Sequence, residues 1–332
     1  GTRERSYFVQ RSLPDYELIV GAAVSAHLAD KPLLVCVDTA DSGGTIERYN
    51  GTSWTASTSG VTSNLTSVFG LGASSVYATG EGGVILRWDG TTWTKQTTGV
   101  TLNLYAVWGL STSNLYAVGD QGTLLTFDPT GGEWNPVIVA GGSPSRILYG
   151  LWGTSASSVF LVGEAGTVLR YDGTKWNTVT TGYPNDINTL VWGTANRVFV
   201  PTAFQFVLVY DGTTWTRQDA QTRNDTRLAA ITGTSNTDVW VLGYDRYISH
   251  FNGAWSSTRP DPAANVNYGN YAGTSGVFSV SATDIWEVTN AGYVARNNPP
   301  NFGGLGFGFT LQAGTIAPGA GFAGLWGTAS TN

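Results

Sequence analysis

The sequence predicts an all-β fold, a seven-bladed β-propeller with four-stranded blades, and three observations support this prediction. Glycine makes up 44 of the 332 residues, and charged residues make up only 12%. Glycine is unfavourable inside helices, and low charge leaves few exposed helical faces. A tryptophan recurs at spacings of 39, 41, 42, 39 and 40 residues, at Trp54, Trp93, Trp134, Trp176, Trp215 and Trp255. A period of about 40 residues with short apolar segments is typical of propeller blades.

Each repeat contains four predicted strands and the turns between them. In the fourth repeat we expect strands at 148–152, 159–162, 167–171 and 175–179. The segment Gly163-Glu164-Ala165-Gly166 separates the second strand from the third, and glycine permits the positive φ of a tight turn. An Asp-Gly pair, typical of a hairpin turn, separates the third strand from the fourth. It stands at Asp89-Gly90, Asp172-Gly173 and Asp211-Gly212, and Asn50-Gly51 and Asn252-Gly253 replace it in two other repeats.

The two ends of the chain complete one another. The first strand of a repeat carries an aromatic residue at Phe69, Trp108, Trp152, Trp192, Phe278 and Trp326, with Thr232 in that place in the sixth repeat. Nothing follows the motif around Trp326, whereas residues 33–54 supply a second, third and fourth strand without a first. We therefore predict that the C-terminal strand joins the three N-terminal strands in one shared blade, which closes the ring and removes an open sheet edge. Six whole blades and this shared blade make seven.

Two segments fall outside the repeat. We expect residues 1–32 to form an N-terminal extension and residues 33–332 to form the propeller. Within the extension, the apolar stretch 17–28 fits either a helix or an added strand. Residues 297–321 are the largest departure inside the propeller. Because departures from a repeat on loops usually carry binding specificity, we expect assembly contacts through residues 1–30 and 297–321.

The segments GEGGVILRWDGTTW (80–93) and GEAGTVLRYDGTKW (163–176) resemble the Asp-box and YCF48-like propeller repeats of secreted bacterial and phage proteins. The resemblance covers nearly the whole chain beyond residue 32. Members of this group include sialidases, photosystem assembly factors and lectin-like modules. The resemblance therefore implies a propeller and leaves the activity open.

Charge and composition exclude several partners. A net charge of −6 disfavours nucleic acid, which requires clustered lysine and arginine. Cys36 is the single cysteine, so no intrachain disulfide is possible. No run approaches the roughly 18 apolar residues of a membrane span. His27 and His250 are the only histidines, too few for a histidine metal site, and we expect no metal and no cofactor.

A catalytic function is not expected. A sialidase-like glycosidase, the enzyme alternative, requires an arginine cluster, a tyrosine nucleophile and a nearby acid. Arg48, Arg87, Arg170 and Arg296 occupy repeat-equivalent positions, which are spread around a ring instead of converging. The aspartates of the Asp-Gly pairs are explained as turn formers, so no pair of carboxylates stands out. The sequence therefore predicts no catalytic residue.

The aromatic residues divide into two groups. Those that recur once per repeat favour packing between blades: the six closing tryptophans, together with Trp108, Trp152, Trp192 and Trp326. Those outside the repeat are the candidates for ligand binding: Tyr183, Phe204, Phe206, Tyr244, Tyr268, Tyr271 and Phe302. Phe204 and Phe206 replace the glycine-rich turn of the fifth repeat, so we expect them at an exposed turn.

These observations predict a non-catalytic, extracellular propeller that acts as a binding or assembly module. Its partner is a protein or, in a lectin-like version, a glycan recognised by loops. The alternative is a structural or receptor-binding component of a virion or surface appendage. We accordingly expect the chain outside the cell, on a cell surface or on a virion.

Overall fold

The computed structural model describes residues 33–38, 44–49, 54–139, 146–185, 187, 191–222, 227–243, 247–258, 274–281, 284–289, 294–297, 309–311 and 321–326. The predicted N-terminal extension, 1–32, and most of the segment 297–321 lie outside these residues. The predicted assembly contacts of both segments therefore stay predictions.

The described residues form β-strands and two short 3₁₀ turns, without an α-helix, as the glycine content predicts. The strands pair into seven four-stranded antiparallel sheets. Sheet 1 contains β28 (Gly321–Trp326), β1 (Leu33–Asp38), β2 (Thr45–Tyr49) and β3 (Trp54–Ser57). Sheet 2 contains β4 (Leu65–Gly72), β5 (Ser75–Gly80), β6 (Ile85–Trp88) and β7 (Trp93–Lys95). Sheet 3 contains β8 (Leu104–Ser111), β9 (Asn114–Gly119), β10 (Leu124–Asp128) and β11 (Glu133–Pro136).

The remaining sheets follow the same order. Sheet 4 contains β12 (Leu148–Ser155), β13 (Ser158–Gly163), β14 (Val168–Tyr171) and β15 (Trp176–Thr178). Sheet 5 contains β16 (Trp192–Thr194), β17 (Arg197–Pro201), β18 (Phe206–Tyr210) and β19 (Trp215–Asp219). Sheet 6 contains β20 (Leu228–Ser235), β21 (Asp238–Gly243), β22 (Ile248–Phe251) and β23 (Trp255–Thr258). Sheet 7 contains β24 (Thr274–Ser281), β25 (Asp284–Thr289), β26 (Val294–Asn297) and β27 (Phe309–Leu311). The 3₁₀ turns are Glu81–Gly83 and Asp120–Gly122.

The four strands predicted in the fourth repeat correspond to β12–β15, with ends shifted by a few residues. The last strand, β28, pairs with the first, β1, with Leu34 opposite Trp326 and Asp38 opposite Gly321. The first strands of neighbouring sheets contact one another: β4 with β8, β8 with β12, β12 with β16, β16 with β20, β20 with β24, β24 with β28, and β28 with β4.

Aromatic rings join the sheets edge to face. Tyr116 on the second strand of sheet 3 meets Trp176 on the fourth strand of sheet 4, with ring centroids 5.5 Å apart and planes at 89°. Equivalent contacts join Tyr77 with Trp134, Phe160 with Trp215, and Phe199 with Trp255. Such pairs contribute about 0.5–1.5 kcal/mol beyond the burial of their area. One tryptophan per repeat therefore serves the junction with the preceding sheet.

A second aromatic series lies on the inner strands. The rings of Phe69, Trp108, Trp152 and Trp192 follow one another at centroid distances of 6.3, 6.0 and 6.4 Å. The glycine after the aromatic position makes room for the preceding ring, because a Cβ at Gly153 would lie 2.6 Å from Cη2 of Trp108. The recurring Trp-Gly pair is thus explained by close approach between sheets.

The turns define two faces of the molecule. We call one the GxxG face, because it carries the turns between second and third strands and the connections into the next sheet. Gly166 shows this proximity, since a Cβ there would lie 1.8 Å from the carbonyl oxygen of Tyr183 in the following connection. The other, the Asp-Gly face, carries the remaining turns, and a Cβ at Gly90 would lie 3.2 Å from Cβ of Ser74.

Replacing Gly166 by alanine tests the contact between turn and connection. Gly166 has a φ of 70° and Gly182 a φ of 72°, so alanine meets similar backbone strain at both positions. Nothing lies within 4 Å of a Cβ at Gly182, whereas the Tyr183 carbonyl obstructs one at Gly166. We expect Gly166→Ala to lower the free energy of unfolding by about 1–3 kcal/mol more than Gly182→Ala in urea titrations. Equal losses would contradict the contact.

Candidate binding site

The GxxG face repeats a simple turn in sheets 2, 3 and 4. Each turn opens with an acid, at Glu81, Asp120 and Glu164. The next residue has a positive φ: 68° at Gly82, 53° at Gln121 and 48° at Ala165. This residue stands seven positions before the aspartate or its counterpart at the end of the third strand. The repeated surface is therefore polar, with a small or polar residue at the tip of each turn.

Tyrosine hydroxyls hold two of these acids. Tyr105 donates to Oδ1 of Asp120 at 2.9 Å, and Tyr149 donates to Oε1 of Glu164 at 3.5 Å. The backbone N–H of Ile147 donates to Oε2 of Glu164 at 2.8 Å. The two tyrosine rings lie 5.9 Å apart. Because the same pair occurs in two successive sheets, it favours a structural role over a tyrosine nucleophile with its acid.

Two of the four arginines that the glycosidase alternative invokes lie at different junctions. The Arg48 guanidinium is 5.8 Å from the ring centroid of Trp88, between sheets 1 and 2. The Arg170 guanidinium is 5.6 Å from the ring of Phe160 and 6.0 Å from that of Tyr210, between sheets 4 and 5. These two cations therefore stack on aromatic rings at separate places and do not converge on one substrate carboxylate.

Sheet 5 departs from the repeated turn. Ala203 replaces the acid, and Phe204 replaces the residue with positive φ. The hydroxyl of Thr202 shapes the new turn: it donates to the carbonyl of Phe206 at 2.9 Å and accepts from the N–H of Phe204 at 3.3 Å. Phe204 is 44% exposed. The turn therefore presents a large aromatic side chain to solvent, as the sequence predicts.

Phe206, which follows, lies under a cation. Phe206 begins β18 and its ring is half-buried, so the prediction of an exposed turn position is wrong for Phe206. The guanidinium of Arg217 on β19 lies 4.5 Å from the ring centroid. Arg217 itself is exposed. A guanidinium over an aromatic face is attracted by the ring quadrupole and held in a defined plane. The rim of sheet 5 thus combines an exposed ring with an oriented cation.

Tyr183 occupies a repeated position, which corrects the prediction that it lies outside the repeat. It stands seven residues after the closing tryptophan of its repeat, as do Val61 and Val100. The carbonyl of Tyr183 faces Gly166 as the carbonyl of Val100 faces Gly83. Its side chain is only 6% exposed, so it offers no open aromatic surface.

The junction of sheets 4 and 5 brings three of the predicted residues together. Tyr183 belongs to the apolar cluster of this junction, which includes Phe160 and Leu208, and Phe206 packs against that cluster. Phe204 lies two residues away at the exposed turn. We call the exposed Phe204 and Arg217, the half-buried Phe206 and the buried Tyr183 of the same junction the 4/5 rim.

The other predicted residues are placed as follows. Tyr244, Tyr268, Tyr271 and Phe302 lie outside the described residues. Trp93, Trp108, Trp134, Trp176 and Trp192 are buried, and Trp152, Trp215 and Trp255 are half-buried. Trp54 and Trp326 lie in strands, and their side chains are outside the described part.

Sheet 6 contains a polar network that the sequence did not predict. The ring of His250 stacks on Trp240 with centroids 3.8 Å apart and planes at 9°. Nε2 of His250 lies 2.9 Å from Oδ1 of Asp238, to which Nε1 of Trp240 donates at 3.1 Å. The hydroxyl of Thr234 hydrogen-bonds the other carboxylate oxygen. Both oxygens of the Asp238 carboxylate are therefore hydrogen-bonded within sheet 6, and the network stabilises the turn between the first and second strands of this sheet.

The carboxylates of the Asp-Gly turns also accept hydrogen bonds from within their own turns. Oδ1 of Asp211 accepts hydrogen bonds from the N–H of Thr214 at 2.8 Å, the hydroxyl of Thr213 at 2.7 Å and the N–H of Thr213 at 2.8 Å. These bonds hold the pKa of Asp211 well below its usual range. The carboxyls of Asp89 and Asp172 have similarly lowered pKa values, because the residues two and three positions ahead donate to them. Their hydrogen-bonding capacity is therefore used to form turns.

The Asp211 turn makes a testable prediction about pH. A carboxyl whose pKa is lower in the folded state stabilises the fold above its unfolded pKa of about 3.9, and this contribution is lost as the pH falls. We expect Asp211→Ala to destabilise the protein at neutral pH and the deficit to shrink below about pH 4. Asp211→Asn, which resembles Asn252 in the next repeat, should lose less because it keeps an acceptor. Urea unfolding across the pH range measures this, and a deficit that stays constant would contradict it.

Two further observations bear on the kind of site. No helix in the described ranges is long and apolar enough to cross a membrane. Among the same residues, no group of three or more histidine, cysteine, aspartate and glutamate side chains is placed to hold a metal ion.

The repeated four-stranded sheets, joined through their first strands and aromatic junctions, define a β-propeller. No protein-family model and no curated protein matches the chain. The structure of YCF48 bound to a D1 peptide is similar, with a TM-score of 0.64 and 13% identity over 90% of this chain and 97% of that one. YCF48 from Cyanidioschyzon merolae has a TM-score of 0.59 and 13% identity over 80% of this chain and 94% of that one. The computationally designed Ika8 protein has a TM-score of 0.63 and 15% identity over 90% of this chain and 92% of that one. At these identities the likeness shows the propeller fold.

Proposed function

We propose that the chain is a non-catalytic protein-binding module built on a closed ring of seven blades. The pairing of β28 with β1 supports closure, because it places the last strand of the chain in the first sheet. The contacts of β28 with β24 on one side and β4 on the other support a complete circle of seven first strands. A closed ring leaves its turns fixed in space, so that a side chain on one turn can serve recognition.

We place the binding site at the 4/5 rim, and the main observation that supports this placement is the exposure of Phe204. At the equivalent turn positions sheets 2–4 carry Gly82, Gln121 and Ala165, whereas sheet 5 carries a phenylalanine. A departure from a repeat on an exposed turn is typical of a recognition residue, and aromatic side chains are enriched at the centres of protein interfaces.

A protein partner is favoured over a glycan because Ala203 replaces the acid of the turns in sheets 2–4 and Phe204 exposes an apolar ring. Glycan sites combine aromatic stacking with several hydrogen-bonding groups, whereas an exposed apolar ring suits an apolar side chain. YCF48, which has a similar fold, is bound to a D1 peptide. A propeller of this kind is therefore able to present a peptide-binding surface. The proposal keeps the location expected from the sequence, outside the cell, on a cell surface or on a virion.

The test selects random peptides displayed on phage against the immobilised protein and then measures the selected peptides by fluorescence anisotropy. We expect Phe204→Ser to weaken binding at least about tenfold, as loss of an aromatic anchor does. Leu110→Ser is the matched control, because Leu110 is 43% exposed and lies on the Asp-Gly face. It should leave the affinity unchanged.

Three results would contradict the proposal. An equal loss of peptide affinity in Phe204→Ser and Leu110→Ser would show that the 4/5 rim is not the binding site. Binding on a glycan array without any peptide binder would favour the lectin-like alternative. Turnover of a fluorogenic glycoside would show that the module is an enzyme.

A further inference from the structure

The chemistry of the partner can be inferred from two polar groups at the 4/5 rim, provided that the rim is the binding site proposed above. The first is the hydroxyl of Tyr183, which is buried and has no hydrogen-bond partner among the described residues. The equivalent positions carry Val61 and Val100, so packing at this place does not require a hydroxyl. Leaving a buried hydroxyl unpaired is unfavourable. An acceptor supplied by a bound partner would remove this cost.

Two other buried polar atoms without a partner lie at a different junction. Oη of Tyr77 and Nε1 of Trp134 are such atoms. Both residues belong to the aromatic junction between sheets 2 and 3, away from the 4/5 rim, so neither atom bears on recognition at the rim. Tyr183 differs, because its aromatic side chain stands where the equivalent positions carry valine, and because its cluster packs against Phe206 of the altered fifth repeat.

The second group is the guanidinium of Arg217. It stacks on Phe206 at 4.5 Å, and no side-chain hydrogen bond or ion pair of Arg217 occurs within the described residues. The neighbouring carboxylate of Asp219 accepts from the N–H of Gln221 at 2.7 Å. A stacked guanidinium keeps its N–H edge free, and this edge matches a carboxylate in two parallel hydrogen bonds.

We propose that the 4/5 rim binds a protein segment in which a carboxylate lies close to an apolar or aromatic side chain. Arg217 pairs with the carboxylate, and Phe204 and Phe206 contact the apolar side chain. The Tyr183 side chain, buried in the free protein, turns toward the segment on binding, so that its hydroxyl donates to a carbonyl oxygen of the segment. Phe206 links these contacts, since it packs under Arg217 and against the cluster that contains Tyr183.

Charge at long range works against this partner, because the chain carries a net charge of −6. Salt would weaken both the long-range repulsion and the local ion pair, so the salt dependence of binding cannot separate these two effects. Amide isosteres can separate them, because glutamine keeps the shape of glutamate and removes its charge. The experiment therefore compares carboxylate and amide peptides at one ionic strength.

The probes are short labelled peptides with phenylalanine or leucine flanked by glutamate or aspartate, each matched by the glutamine or asparagine version. Fluorescence anisotropy with the full chain should show the carboxylate peptides binding at least about tenfold tighter, the range of a charge-assisted hydrogen-bond pair. Arg217→Gln should abolish this preference, and Arg217→Lys should retain only part of it. Leu110→Ser should bind both sets as the unaltered protein does.

Tyr183→Phe provides a separate readout, because it removes only the hydroxyl. If that hydroxyl is unpaired in the free protein, the variant should keep or gain thermal stability while binding the carboxylate peptides several-fold more weakly. A variant that loses stability and binds normally would show that the hydroxyl is satisfied within the fold, and would overturn its role in binding.

The outcomes separate this inference from the proposed function. Equal binding of carboxylate and amide peptides, with loss of both in Phe204→Ser, would overturn the carboxylate assignment and support the rim as a protein-binding site. Failure of every peptide, including those selected from the random library, would overturn both proposals.

Discussion

The structure depends on the edge-to-face contact between one aromatic ring and the next sheet. A four-stranded sheet of this size has apolar side chains on both faces and buries them only against its neighbours. The pairs Tyr116–Trp176 and Phe160–Trp215 meet this requirement with the same geometry at successive junctions. Since the contact is made once per junction, the tryptophan must recur once per repeat. The spacing of the tryptophans in the sequence is therefore a consequence of packing.

The strands and turns could be predicted because the signals are local. An Asp-Gly pair specifies a hairpin by its own backbone preference, and the threonines that follow Asp211 supply the donors that complete the turn. The exposed position of Phe204 follows from the same logic, since it interrupts a turn that other repeats define. Features of this kind need only the period and the neighbouring residues.

Features that depend on register and on contact between sheets could not be predicted. The stack of His250 on Trp240 requires the two residues to stand opposite one another on adjacent strands. By side-chain type, Tyr183 differs from the valines of the other repeats. Its backbone carbonyl, which faces Gly166, makes it equivalent to them. Comparison of side-chain types therefore misses a position that is conserved in geometry within the molecule.

The turn of sheet 5 shows why the exposure of Phe204 has more meaning than that of an ordinary surface residue. A single exposed apolar side chain is common and carries no argument by itself. Here the backbone has changed with the side chain: the left-handed residue of the turns in sheets 2–4 is absent, and the hydroxyl of Thr202 holds the new conformation. A turn rebuilt around a phenylalanine that stays 44% exposed is not explained by burial of the ring alone. This departure is the observation on which the proposed contact with a partner rests.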